Sequence, residues 1–247
     1  LNALEEALRL KETLGGSVTA LTMGPPKALE VLRECLFRGA DNAVLVTDRR
    51  FAGSDTLATS YVLKCAIDKL GAFDLILCGR QAIDGDTAQV GPQLAEKLGI
   101  NQITCVSAVS GVAGGRIRAR RAVDDGVETV ASRLPVLLTV TAAANQPRTA
   151  SAKRMLAFKS IGTKACGADY GLDYLAPDAC QPDGFVMEWD LDAIGADPKL
   201  CGFAGSPTRV KKVDSVVLTA SQSRRIAPTD EGIGALIKEL IDDNILG

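Results

Sequence analysis

The sequence predicts an α/β fold built on a parallel sheet covered on both faces. Three observations carry this: short apolar runs near 18–23, 43–47 and 74–78, helix-spaced stripes around them, and Gly or Pro at most junctions. In such an alternation each helix crosses over to a strand parallel to the last.

Leu1, Leu4, Leu8 and Leu14, with Ala7 between, form a helical stripe flanked by Glu5, Glu6, Arg9 and Lys11, and Gly15-Gly16 ends it. Val18 to Met23 reads as a strand and Gly24-Pro25-Pro26 as a turn. Lys27 to Phe37 is then a helix that starts after proline and stops before Gly39. Ala43 to Thr47 gives the next strand, Ser54 to Leu70 the next helix, and Asp74 to Cys78 a short buried strand bounded by Gly79. A further helix is expected from Thr87 to Leu98. Ligands of parallel sheets lie beyond the carboxyl ends of the strands, where Met23-Gly24-Pro25 and the Gly79 to Gln89 loop both fall.

That second loop has the chemistry of a phosphate cradle. The first N–H groups after Asp86 lack helical acceptors and carry the positive end of the helix dipole. Gly85 admits a tight bend, and Ala88 and Gly91 keep the first turn small. The same residues also fit a structure without ligand, in which Asp86 caps the helix and Gln89 completes an Asp-x-x-Gln capping box. Local chemistry leaves both open, since Asp84 and Asp86 repel a phosphate unless capping occupies them.

After Leu98 the pattern changes. Ile103 to Val109, Arg116 to Val123 and Val127 to Arg133 are separated by Gly-rich and Asp-Asp-Gly turns, which predicts an antiparallel extension, and Pro135 to Thr141 is another buried strand. Arg116, Arg118, Arg120 and Arg121 read as a solvated hairpin face, because no aromatic residues interleave to stack bases. Ala142 to Ser160 is polar and basic, with a short helix at Lys153 to Lys159. Residues 161–213 are rich in Gly, Pro and Asp, with little periodicity, and read as an irregular C-terminal arm lying on something else. Val216 to Leu218 reads as a strand, and Asp230 to Ile245 as a closing amphipathic helix. The expected division is a nucleotide-binding domain over 1–155 and an arm with its helix over 156–247.

The chain has 247 residues, 47% hydrophobic, with a net charge of −2, so no global basic field recruits nucleic acid. Seven cysteines without a Cys-x-x-Cys pair suit a reduced, cytoplasmic protein. Histidine is absent, which removes the commonest general base and zinc ligand, and no Gly-x-x-x-x-Gly-Lys loop marks an ATP-using enzyme. No apolar run approaches the roughly 20 residues of a membrane span.

Four stretches then match something specific: Asn2 to Lys11, Cys78 to Gly91, Asn145-Gln-Pro-Arg148 and Gly205-Ser-Pro-Thr-Arg-Val210. In this order they resemble the beta subunit of the electron-transfer flavoproteins, and the likeness runs through essentially the whole chain. The resemblance implies a Rossmann-like domain of the adenine-nucleotide-binding type, with an arm embracing an alpha subunit that carries its own FAD. It also implies a strand and a further segment ahead of the first helix.

Carried over residue by residue, the family's nucleotide site falls on Met23 and on Gly79, Arg80, Gln81, Ala82, Ile83, Asp84, Gly85, Asp86, Thr87, Ala88, Gln89 and Val90. The amides of Thr87, Ala88 and Gln89 and the Thr87 hydroxyl would face the phosphates, and Arg80 would offset Asp84 and Asp86. For Met23, plain strand-end packing stands beside nucleotide contact. Asp84 to Pro92 and Gly205 to Thr208 look more like the electron-bifurcating branch, which holds a second FAD that takes a hydride from NADH; the alternative is a structural AMP. No metal and no catalytic side chain are implied. The expected partners are the alpha subunit, an acyl-CoA dehydrogenase docked through Asn145 to Lys159, and ferredoxin or flavodoxin as low-potential acceptor. Thr149 to Ala152 replaces the aromatic and leucine often found in that docking segment.

Overall fold

In the computed structural model, which describes residues 1–159, 161–162, 186–210 and 225–242, the leucine stripe becomes helix α1 (Asn2–Leu14), with Leu8 buried. Strand β1 (Thr19–Met23) follows. Pro26 opens a 3-10 turn, where its missing N–H goes unused, and α2 (Leu29–Arg38) continues from it. Strand β2 (Asn42–Val46) runs parallel to β1, with Thr19 opposite Asn42 and Met23 opposite Val46. Helix α3 (Thr56–Leu70) is capped by Asp55, whose carboxylate accepts from the amides of Leu57 at 2.9 Å and Ala58 at 3.0 Å. Strand β3 (Leu75–Gly79) then leads through the candidate loop into α4 (Val90–Leu98).

The antiparallel extension forms as the turns predict, from β4 (Asn101–Ala113), β5 (Arg116–Val123) and β6 (Gly126–Arg133). Strand β7 (Val136–Val140), buried at every position, runs parallel between β3 and β4. β4 pairs on both sides within one sheet. Asn101 to Ile103 and Val106 pair with β7, Val106 to Ala113 pair with β5, and Cys105 at the break has φ 55°. Ile117 and Ala119 of β5 share a buried cluster with Ile103, Val106, Val136 and Leu138. Burying one such isoleucine contributes about 2 kcal/mol. On the opposite face Leu137 meets Leu94 and Ala95 of α4 and Ile67 of α3. Alternation along β5 turns Arg116, Arg118 and Arg120 to solvent, as expected of a hairpin face, and half-buried Arg121 donates to Thr104 Oγ1 at 3.0 Å.

One feature differs from a single continuous sheet. The strands lie in two sheets, ordered β1-β2-β8 and β3-β7-β4-β5-β6, and among the described residues β1 pairs only with β2 and β3 only with β7. α3 joins them, with Val62 and Ala66 packed in the cluster beside β2 and Ile67 in the cluster beside β7, while Leu21 of β1 touches both clusters.

The stretch expected to be irregular contributes more than an arm. Val186–Trp189 forms β8, parallel to β2 with Ala43 opposite Val186, and Leu191, Ile194, Ala196 and Cys201 bury against Val44, Val46 and Phe51. Four residues half-buried on both faces carry no readable alternation; the partner edge of β2 makes them a strand. A short helix α5 (Ala152–Phe158) leans on the end of α2 through Ser151 N donating to Phe37 O at 3.0 Å and Arg154 donating to Leu36 O and Ala40 O, both at 2.5 Å. After β8 comes α6 (Gly202–Gly205). Leu1–Arg209 forms one compact unit and Val210–Gly247 another. In the second, α7 (Asp230–Asp242) exposes Ile233, Ile237 and Ile241. The strand expected at Val216 to Leu218 lies outside the described residues.

Candidate functional site

β3 delivers Gly79 at its carboxyl end, and the chain from Gly79 to Thr87 is exposed at every residue, with Ile83 wholly so. The helix begins later than the sequence predicts, at Val90 and not at Thr87. Gln89 stands at the cap position with no side-chain cap hydrogen bond, so the Asp-x-x-Gln box does not form. Asp86 instead accepts from Gln81 Nε2, and its own amide donates to Ala82 O at 3.1 Å.

The bend is also made differently. Gly85 does not take the left-handed conformation; Asp86 (φ 49°) and Ala88 (φ 53°) do. For residues with a Cβ that conformation costs about 1–2 kcal/mol each. Strain of this kind persists where surrounding structure holds it, and it clusters at ligand sites. Here the anchors are β3 on one side and α4 on the other. α4 sits close on the sheet because Gly91 has no side chain: a Cβ there would lie 2.9 Å from Thr139 Cγ2 of β7.

Between those anchors is a run of free donors. Among the described residues, none accepts from the backbone N–H of Thr87, Ala88, Gln89, Val90 or Gly91, and Pro92 has no N–H to place. These groups form the positive end of α4 and lie in or beside an open loop. Arg80 is exposed and forms no ion pair with Asp84 or Asp86. Burial pushes the thiol of Cys78, next to Gly79, up to about 11, so it stays protonated and is no nucleophile. Met23, at the end of β1, packs in the cluster of Val46, Leu191 and Trp189.

Two residues that sequence reasoning passed over hold this loop from the side. Thr56, the first residue of α3, donates through Oγ1 to Gln89 Oε1 at 2.9 Å, and Gln93 Nε2 reaches Thr56 Oγ1 at 3.4 Å. Only the Asp-Thr start of α3 hinted at a polar helix end. Its neighbour Asp55 binds the Gly205 to Val210 stretch: Thr208 donates to Asp55 Oδ2 through its amide (3.1 Å) and hydroxyl (2.8 Å). Ser206 Oγ accepts from the Asp55 amide at 2.8 Å. Burial opposes ionisation of Asp55, yet these bonds and the cap amides together hold its carboxyl below the ordinary aspartate range.

The other two resemblance stretches also meet each other. Glu5 and Glu6, expected on the flank of the α1 stripe, are buried because the Asn145 to Arg148 segment lies across them. Arg148 donates to Glu5 from its amide (3.0 Å), Nε (2.8 Å) and Nη2 (3.2 Å), and reaches Glu12 as well. Asn145 Nδ2 donates to Glu6 Oε2 at 2.9 Å and to Asn2 O at 3.0 Å, and Asn2 Nδ2 returns a bond to Asn145 O at 2.7 Å. This lock sets the direction in which the chain leaves for α5, where Met155 and Leu156 are exposed.

No helix among the described residues is long and apolar enough to cross a membrane. Residues 1–161 match the electron transfer flavoprotein domain family. The chain is 41% identical to the electron transfer flavoprotein subunit beta of Clostridium acetobutylicum, over 99% of this chain and 85% of that one. Protein FixA of Bradyrhizobium diazoefficiens is 42% identical over 96% of this chain and 77% of its own. Subunit CarD of the caffeyl-CoA reductase-Etf complex of Acetobacterium woodii is 38% identical over 99% and 85%.

Proposed function

This chain belongs to the electron transfer flavoprotein family, among its beta subunits, and from that premise we propose that it holds FAD by the diphosphate at the Gly79 to Val90 loop. The observation that supports this is the run of unpaired amides from Thr87 to Gly91 at the start of α4. The donor set fits the group: main-chain N–H groups and the Thr87 hydroxyl suit phosphate oxygens. With Asp86 engaged by Gln81, one of the two neighbouring carboxylates is turned to a local partner. Ala88 and Asp86, held in left-handed backbone by their neighbours, present the amides without rearrangement on binding.

When bound, the flavin supplies hydride and one-electron chemistry that no side chain of this protein offers. The chain's own part is to bind and orient. Thr87, Ala88 and Gln89 fix the diphosphate, Gly91 lets α4 approach the sheet, and Cys78 stays neutral beside the site. A flavin held at Thr87 to Gln89 would supply the NADH-linked electron chemistry of the bifurcating reading, in which the alpha-subunit FAD with its partner dehydrogenase and a low-potential carrier such as ferredoxin or flavodoxin would be the two acceptors. The dehydrogenase docks on the segment Asn145 to Lys159, where Met155 and Leu156 supply the exposed apolar side chains.

The test is the flavin content of the heterodimer made by co-expression with an alpha subunit, with acid-released nucleotides identified. Two flavins per heterodimer are expected. One flavin with released AMP would make this a structural nucleotide site and end the bifurcation reading. Thr87→Glu is expected to abolish retention at this loop and leave the alpha flavin in place; normal retention would put the phosphates elsewhere.

A further inference from the structure

The start of α3 is tied in two directions at once. Asp55 is saturated, with one oxygen on the cap amides of Leu57 and Ala58 and the other on the amide and hydroxyl of Thr208. Ser206, 7% exposed, closes the same junction: its hydroxyl takes the Asp55 amide and lies 2.6 Å from Gly202 O and 3.1 Å from Gly53 O. The next residue, Thr56, faces the other way and holds Gln89. Asp55 and Thr56 are adjacent and anchored by the helix cap, so neither side chain can shift far without the other.

Gln89 is a pivotal place for such a bond. It follows Thr87 and Ala88, whose amides are unpaired, and with φ −94° it is the right-handed residue between left-handed Ala88 and the start of α4. A ligand that orders Thr87 to Gln89 holds the Gln89 side chain on Thr56. Thr56 in turn steadies the cap on which Thr208 rests. Thr208 is two residues from Val210, where the second compact unit begins.

We propose that Thr56 is a positioning residue that couples nucleotide occupancy of the Gly79 to Val90 loop to the docking of Ser206 to Thr208 on Asp55. This rests on the loop being the nucleotide site. Coupling of this kind is reciprocal: a nucleotide tightens the junction by the same factor as the junction tightens the nucleotide, about fivefold for a link of a few hydrogen bonds.

The experiment uses the heterodimer stripped of the beta-site nucleotide, with FAD and AMP as added probes. Limited trypsin cleavage after the exposed Arg209, identified by mass spectrometry, reports the junction, and nucleotide affinity is measured in parallel. In the unaltered protein, saturating nucleotide is expected to slow cleavage about fivefold. Thr56→Val should weaken nucleotide binding by a similar factor and remove the protection, while Thr56→Ser, which keeps the hydroxyl, should restore both. Thr208→Val should speed cleavage and weaken nucleotide binding together. Protection of Thr56→Val equal to that of the unaltered protein, or unchanged affinity in Thr208→Val, would overturn the coupling. If Thr87→Glu binds nucleotide normally, it is the site itself that fails; if Thr87→Glu abolishes binding while the Thr56 and Thr208 variants change nothing, only the coupling fails.

Discussion

Replacing Arg148 by glutamine removes the guanidinium from a carboxylate that has little water. Glu5 is 5% exposed, and its carboxyl falls from 4.5 to about 2. The hydrogen bond from the Arg148 side chain is the largest cause; burial works against it, and the Arg148 amide and Arg9 add to it. A carboxyl lowered that far contributes about 3 kcal/mol at neutral pH if the whole difference acts on folding. In Arg148→Gln the amide and Arg9 remain, so the expected loss is about 2 kcal/mol at pH 7. The sign follows from the depressed folded value. The stabilisation is complete above about pH 5 and drains away as pH falls from 4.5 towards 2. Asp48, also held at about 2, with its Arg50 partner the leading cause, is untouched by the substitution and cancels in the comparison. Urea unfolding followed by the single tryptophan, Trp189, at pH 7, 5 and 3.5 measures the gap between the two proteins. It should narrow steadily below pH 5. A gap of the same size at pH 3.5 and pH 7 would refute the electrostatic account and leave packing as the cause.

Other substitutions probe the loop and its supports. Gly91→Ala places a methyl 2.9 Å from Thr139 Cγ2 and 3.6 Å from Leu137 Cδ2, and should cost about 1–3 kcal/mol in chemical denaturation while lowering nucleotide affinity through displacement of α4. Ala88→Gly relieves a left-handed residue at φ 53° and should stabilise the protein by about 0.5–1 kcal/mol, with weaker nucleotide binding because the loop loses its set direction; destabilisation would show that Ala88 is unstrained. Gly202→Ala combines φ 53° with a Cβ 2.2 Å from Arg50 O, and should cost more than about 3 kcal/mol, read as a lowered melting temperature.

Much of the scaffold could be read from local pattern. Helices α1, α3 and α7, strands β1 to β3 and the β5–β6 hairpin fall within a few residues of the expected spans, because stripe period and turn residues act over short stretches. Strand β8 could not be read, since Val186 to Trp189 become a strand only against β2. The candidate loop was placed correctly between β3 and the next helix, yet its inner geometry was not. The sequence offered Gly85 for the bend and Asp86 for the cap, whereas the left-handed positions fall on Asp86 and Ala88 and the helix waits until Val90. Two neighbouring anchors, the end of β3 and the close seat of Gly91 on Thr139, set the path between them more strongly than residue preference does.

Taken by itself, the sequence determined the alternation of strands and helices, the basic outer face of β5 and the place of the exposed loop between β3 and α4, all consequences of spacing along a few residues. Only the tertiary structure decided which carboxylates are buried and paired, and that Thr56 meets Gln89 across 33 positions while Thr208 meets Asp55 across 153. Such contacts depend on how distant helix ends converge at one edge of the sheets, and no local period encodes that convergence.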